Sequence, residues 1–136
     1  MKFTITANIN KDIMTCWHTY HIPEHIMNWN YASDDWHTTS AKSDFQVGGH
    51  FSYIMEAKDK SVGFDFSGVF TEIDEPNLII YRLDDQREVA IKFLQQENDT
   101  YVEVVIDAEE ENSVAIQKRG WQAILNHFKS YVEKLK

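Results

Sequence analysis

The chain holds 136 residues, 43% of them hydrophobic, with 4 Trp, 6 Tyr and 8 Phe, and a formal net charge of -9 from 13 Lys and Arg against 22 Asp and Glu. That length fits one domain over residues 1–136, and the apolar content excludes a disordered chain. The acidic balance argues against nucleic acid and anionic membrane as partners, and the single cysteine, Cys16, excludes an internal disulfide.

The opening MKFTITANINKD has no apolar signal-peptide core, and no segment approaches membrane-spanning length. A cytoplasmic protein without membrane insertion is the expectation. Phe3, Ile5, Ala7 and Ile9 alternate with polar residues and predict a half-buried strand. Asn10 or Asp12 is placed to cap a helix with apolar positions Ile13, Met14, Cys16, Trp17 and Tyr20. Pro23 restarts the chain as a second short helix, PEHIMNW, because proline fits a first helical turn and not an interior. NYASDDWHTTSAKS has no sustained period and reads as loop, and Asp44 to Val47 reads as a short strand ended by Gly48-Gly49.

His50 to Ala57 predicts a strand and Lys58 to Ser61 a polar turn. In the run Val62 to Ile73, Phe64, Phe66 and Phe70 share a face that Gly68 interrupts, as where a strand bends or another group comes close. Leu78 to Leu83, Val89 to Leu94 and Tyr101 to Ile106 supply three more strands, joined by short connections that make neighbours antiparallel. The last stretch, Ser113 to Leu135, carries Trp121, Ile124, Leu125, Phe128, Val132 and Leu135 on one helical stripe, with Ser113 as N-cap. So long an amphipathic helix buries its stripe against the sheet. Its basic residues Lys118, Arg119, Lys129 and Lys134, with Lys136, form a strip opposed to the net charge. The expected architecture is α+β: a curved antiparallel sheet around a long C-terminal helix, with two short helices after the first strand.

Several short matches, in order, resemble one family. They are Trp17 in the first helix, Pro23-Glu24-His25-Ile26 with Trp29, Gly48-Gly49-His50-Phe51, Gly68 to Ile73 with Pro76, and Gly120-Trp121. The family is the homologues of the heat-shock ATPase activator's C-terminal domain, within the START-like or SRPBCC superfamily. The resemblance implies a helix-grip fold with a cavity between sheet and helix. Across the superfamily it brings three activities: binding of lipids and small hydrophobes, polyketide cyclisation, and docking onto a chaperone. Asp44-Phe45-Gln46-Val47 stands where the family has an arginine-rich lead, and Asn30 stands where a second tryptophan is common.

Among polar candidates, His18, His21 and His25 lie near one another in sequence, but Pro23 breaks their helical register and no HExxH accompanies them, so they read as surface or packing histidines and no metal is assigned. Cys16 reads as a small buried hydrophobe. GxSxG, GxGxxG and GxxxxGK are all missing from the sequence, and no cofactor is assigned. Tyr53, Tyr81, Arg82, Arg87, Glu88, Lys92, Glu103 and Asp107 are polar groups within apolar strands, and strand parity alone does not choose their face. The candidate ligand-binding residues are Trp29, Phe51, Tyr53, Phe66, Phe70, Tyr81 and Trp121, with catalytic residues unassigned. The leading expectation is a carrier or sensor for a small hydrophobic molecule. A cyclase- or hydratase-like enzyme is the alternative. A homodimer is a further partner reading, and a chaperone contact rests on the family name alone.

Overall fold

The computed structural model describes residues 1–135; Lys136, the last member of the basic strip, lies outside the described residues. The elements run β1 (Lys2–Ile9), α1 (Ile13–His21), α2 (Pro23–Trp29), β2 (Trp36–Ser43), β3 (His50–Ala57), β4 (Gly63–Asp74), β5 (Leu78–Leu83), β6 (Glu88–Gln96), β7 (Asp99–Asp107) and α3 (Val114–Glu133). The strands form one antiparallel sheet in the order β1-β7-β6-β5-β4-β3-β2. This is the expected α+β helix-grip architecture.

Alternation fixes the concave face of the sheet. Phe3, Ile106, Val89, Tyr81 and Phe70 stand in register across five strands, and Ile5, Val104, Ile91 and Ile79 form the next row, all buried. Onto that face α3 lays Leu125, Phe128 and Val132, each at most 3% exposed. Asp12 and Ser113 cap their helices by accepting from the backbone N–H groups of Thr15 and Ile116. The polar side of α3 is also used. Gln122 donates to the carbonyl of Thr6 (3.1 Å), Lys129 donates to that of Asn8, and Glu133 accepts from Asn10 N–H (2.8 Å). β1 is an edge strand, and these side chains cover groups that would otherwise invite another strand.

Two sequence expectations are corrected. Trp36–Ser43 is a strand, not loop, and Asp44 to Val47 is a turn, not a strand. β2 is the far edge of the sheet, and a register shift between Thr38 and Ser40 breaks the period-two pattern, leaving only Thr38 buried. The turn after it is held by Asp44 N–H to the carbonyl of His50 (2.9 Å) and Gly49 N–H to that of Gln46 (2.8 Å). Gly48 has φ +86°, and a Cβ on Gly49 would meet the Asp44 carbonyl oxygen at 2.0 Å, so both glycines are required. Gly68 is a close approach as expected: a Cβ there would lie 2.3 Å from the Arg82 carbonyl oxygen. The strand irregularity itself falls farther along, between Phe70 and Glu72.

Candidate functional site

Where α3 rises from the sheet at its N-terminal half, a cavity of about 560 Å³ remains. That volume lies within the range of small-molecule sites, roughly 300–1,000 Å³. β3, β4 and β5 supply Tyr53, Phe66, Phe70, Ile79 and Tyr81; α1 and α2 supply Tyr20 and Trp29; α3 supplies Trp121, Ile124 and Leu125. Ala32, Ser33, Trp36, Phe64 and Ile116 also line it, and the exposure of Phe64 (50%) and Ile116 (59%) marks the mouth.

Of the seven candidate residues, Trp29, Tyr53, Phe66, Phe70, Tyr81 and Trp121 face this space. Phe51 does not. It stands in register with Gly68, which offers no side chain to hold it away from the sheet, and is 2% exposed behind Tyr53 and Tyr81, at ring distances of 5.0 and 4.8 Å. Trp121 is half-buried, its ring edge-on to Phe66 at 5.8 Å, so it walls the cavity. Trp29 is fixed by its indole N–H donating to the Thr19 carbonyl (3.0 Å).

The strand polar groups divide cleanly. Arg82, Glu88 and Lys92 are exposed, Glu103 pairs with Lys92 (3.6 Å), and Asp107 pairs with Lys2 (2.6 Å). Arg87 lines the cavity while its Nε donates to Asp85 (2.8 Å). The histidines do not converge: His21 stacks on Phe45 at 3.8 Å, and His25 Nδ1 meets the Tyr131 hydroxyl at 2.8 Å. Burial pushes the Cys16 thiol up to about 11, as for a structural cysteine.

Polar lining residues outside the predicted set include Tyr20, Asn30 and Gln117. Tyr20 sits on the inner face of α1 among Trp29, Phe93 and Phe128. Asn30, 8% exposed, holds its Nδ2 3.8 Å from the Met55 sulfur; its signal was the departure from the family's second tryptophan. Gln117 lies on the first turn of α3, and its amide bonds Glu109 N–H and the carbonyls of Glu109 and Asn112, tying the β7–α3 loop over the mouth. Burial raises the pKa of Tyr20, Tyr53 and Tyr81, so all three phenols stay protonated at neutral pH.

A bent antiparallel sheet holding a C-terminal helix with a cavity between them defines a START-like helix-grip protein. Residues 11–133 match the family described as Activator of Hsp90 ATPase homolog 1-like protein, and the chain belongs to that family. It is similar to the AHSA1-like protein of Aeromonas hydrophila, with 44% identity, TM-score 0.92, and coverage of 98% of this chain and 92% of that one. A protein of Cytophaga hutchinsonii is 41% identical, with TM-score 0.85 and coverage of 97% and 92%. The Aha1 dimer of Colwellia psychrerythraea shares the fold at 12% identity, with TM-score 0.80 and coverage of 98% and 97%. Among curated proteins, none matches the chain. No helix among the described residues is long and apolar enough to cross a membrane.

Proposed function

We propose that the protein binds a small hydrophobic or amphipathic molecule in the cavity between the sheet and α3, as a carrier or sensor. The observation that carries this reading is the cavity itself: about 560 Å³ walled mainly by aromatic and aliphatic side chains of a well-packed domain. A natural core is close-packed, and space of this size costs stability unless it is used. The candidate residues Trp29, Tyr53, Phe66, Phe70, Tyr81 and Trp121 serve as the contact surface, with Phe51 supporting two of them from behind. Acid–base catalysis draws less support, because the deepest titratable groups are phenols that burial keeps protonated. A chaperone contact draws on the family's description alone, and a homodimer on a relative that shares only the fold.

Gly120 offers a direct test. It lines the cavity from α3, and a Cβ built on it meets nothing within 4 Å. Gly120→Phe therefore places a ring in open space and replaces a poor helix former, so the melting temperature holds or rises. Nile red titrated into the wild type gives a saturable fluorescence increase, and the variant weakens binding by about tenfold or more, a change of about 1.4 kcal/mol. Equal dye affinity in a folded variant overturns the assignment of the ligand to this cavity.

A further inference from the structure

Resting on that reading, we infer that the cavity takes a flat, uncharged ligand bearing oxygen acceptors, recognised by the hydroxyls of Tyr20, Tyr53 and Tyr81. These residues reach the same space from α1, β3 and β5. The Tyr131 hydroxyl is engaged by His25, whereas those of Tyr20 and Tyr81 have no hydrogen-bond partner among the described residues, and that of Tyr53 has the Ser43 side chain within reach. Hydroxyls that open into an apolar cavity are completed by a ligand whose acceptors pair with them. Their mutual proximity appears in the electrostatics, where Tyr20 adds to the rise of both other phenols after burial itself. Ser43, in register with Phe51 and diagonal to Tyr53 on the same face of the sheet, is the side chain whose hydrogen bonding partly offsets the rise on Tyr53.

The walls define the ligand's shape. Tyr53 and Phe66 lie within 15° of parallel, with Trp121 and Tyr81 edge-on to Phe66 at 5.8 and 6.2 Å, a lining that favours a planar ring system. The charged lining groups are already partnered. Arg87 is tied to Asp85, and Glu109 Oε1 accepts from the backbone N–H of Asn112 (3.0 Å). Burial, with His18 beside it, lowers the pKa of His21 to about 4, so this ring is neutral. A neutral interior with phenol donors suits carbonyl, ether or hydroxyl oxygens and gives an ionised ligand little compensation for lost water.

Fluorene and 9-fluorenone test this, since they share one ring frame and differ by a CH₂ against a C=O. Each is titrated into the wild type and into the triple variant Tyr20→Phe/Tyr53→Phe/Tyr81→Phe, with Tyr20→Phe and Tyr81→Phe alone as checks. Comparing the ratio of the two affinities between proteins cancels the ligands' own solvation. The preference for fluorenone is expected to fall by about tenfold in the triple variant and partway in the single ones, as for one or two lost hydrogen bonds. The melting temperature of the two single variants should not fall, because the Tyr20 and Tyr81 hydroxyls make no bonds in the free protein. An unchanged ratio with both ligands still bound overturns the inference and leaves the cavity reading standing. Failure of both ligands to bind the wild type removes both. Tighter binding of fluorene-2-carboxylate than of fluorenone, lost in Arg87→Gln, would show that the site selects an anion and also overturns it.

Discussion

At the scale of single residues, the cavity wall mixes groups that serve the fold with groups that have no use inside it. His21 belongs to the first kind, its ring stacked at 6° on Phe45, edge-on to Trp17 and half-buried. Its pKa falls from the ordinary 6.5 to about 4, chiefly through burial. Between those values the unfolded chain binds the proton that the folded one refuses, so this contribution to stability is complete above about pH 6.5 and is lost as pH falls toward 4. Because the ring is only partly buried, solvent screening leaves about 1–2 kcal/mol of that effect. His21→Phe keeps the stack and removes the proton. Urea melts at stepped pH should show a flatter stability profile between pH 6.5 and 4 than the wild type. An identical slope would mean that the imidazole is well solvated. The Tyr20 hydroxyl belongs to the second kind, and it was not legible as part of a site. Tyr20 reads as one more apolar position of a short helix, and only the fold shows that its hydroxyl lacks a partner.

At the scale of elements, α3 was the most legible part of the chain, because a 3.6-residue apolar period sustained over twenty positions is the mark of a helix with one buried face. The stripe does not say which of its members touch solid core. Phe128 is fully buried, and Phe128→Ala should cost about 3–5 kcal/mol. Trp121 faces space already open, so Trp121→Ala should cost less, about 1–2 kcal/mol, since part of its cavity term is already present in the native state. Paired denaturant melts decide this, and equal costs would show that the N-terminal half of α3 is packed as tightly as the C-terminal half. β2 was the least legible element. An edge strand with a bulge and one buried residue carries neither alternation nor apolar weight, so its Thr- and Ser-rich sequence resembles a loop. A bulge has the same effect in β4, where Phe66, Gly68 and Phe70 keep one parity until the irregularity after Phe70 brings Ile73 to the core side.

At the scale of the whole molecule, seven strands cover one long helix, and α1 and α2 close the remaining side without filling it. The cavity is a product of that geometry: the C-terminal half of α3 seats on the sheet while Gly120, lacking a side chain, leaves room toward its N-terminal half. Ring-rich composition and the family resemblance pointed to such a space, but its mouth between Phe64 and Ile116 depends on long-range packing that no local pattern records. The central claim is that this space holds the ligand. Intermolecular nuclear Overhauser effects between bound Nile red and isotope-labelled protein test it most directly. Contacts are expected from the dye's ring protons to the side chains of Tyr81, Trp121 and Ile124. Contacts instead to Arg82 and Lys92 on the outer face of the sheet, or none to the cavity wall at saturating dye, would contradict it.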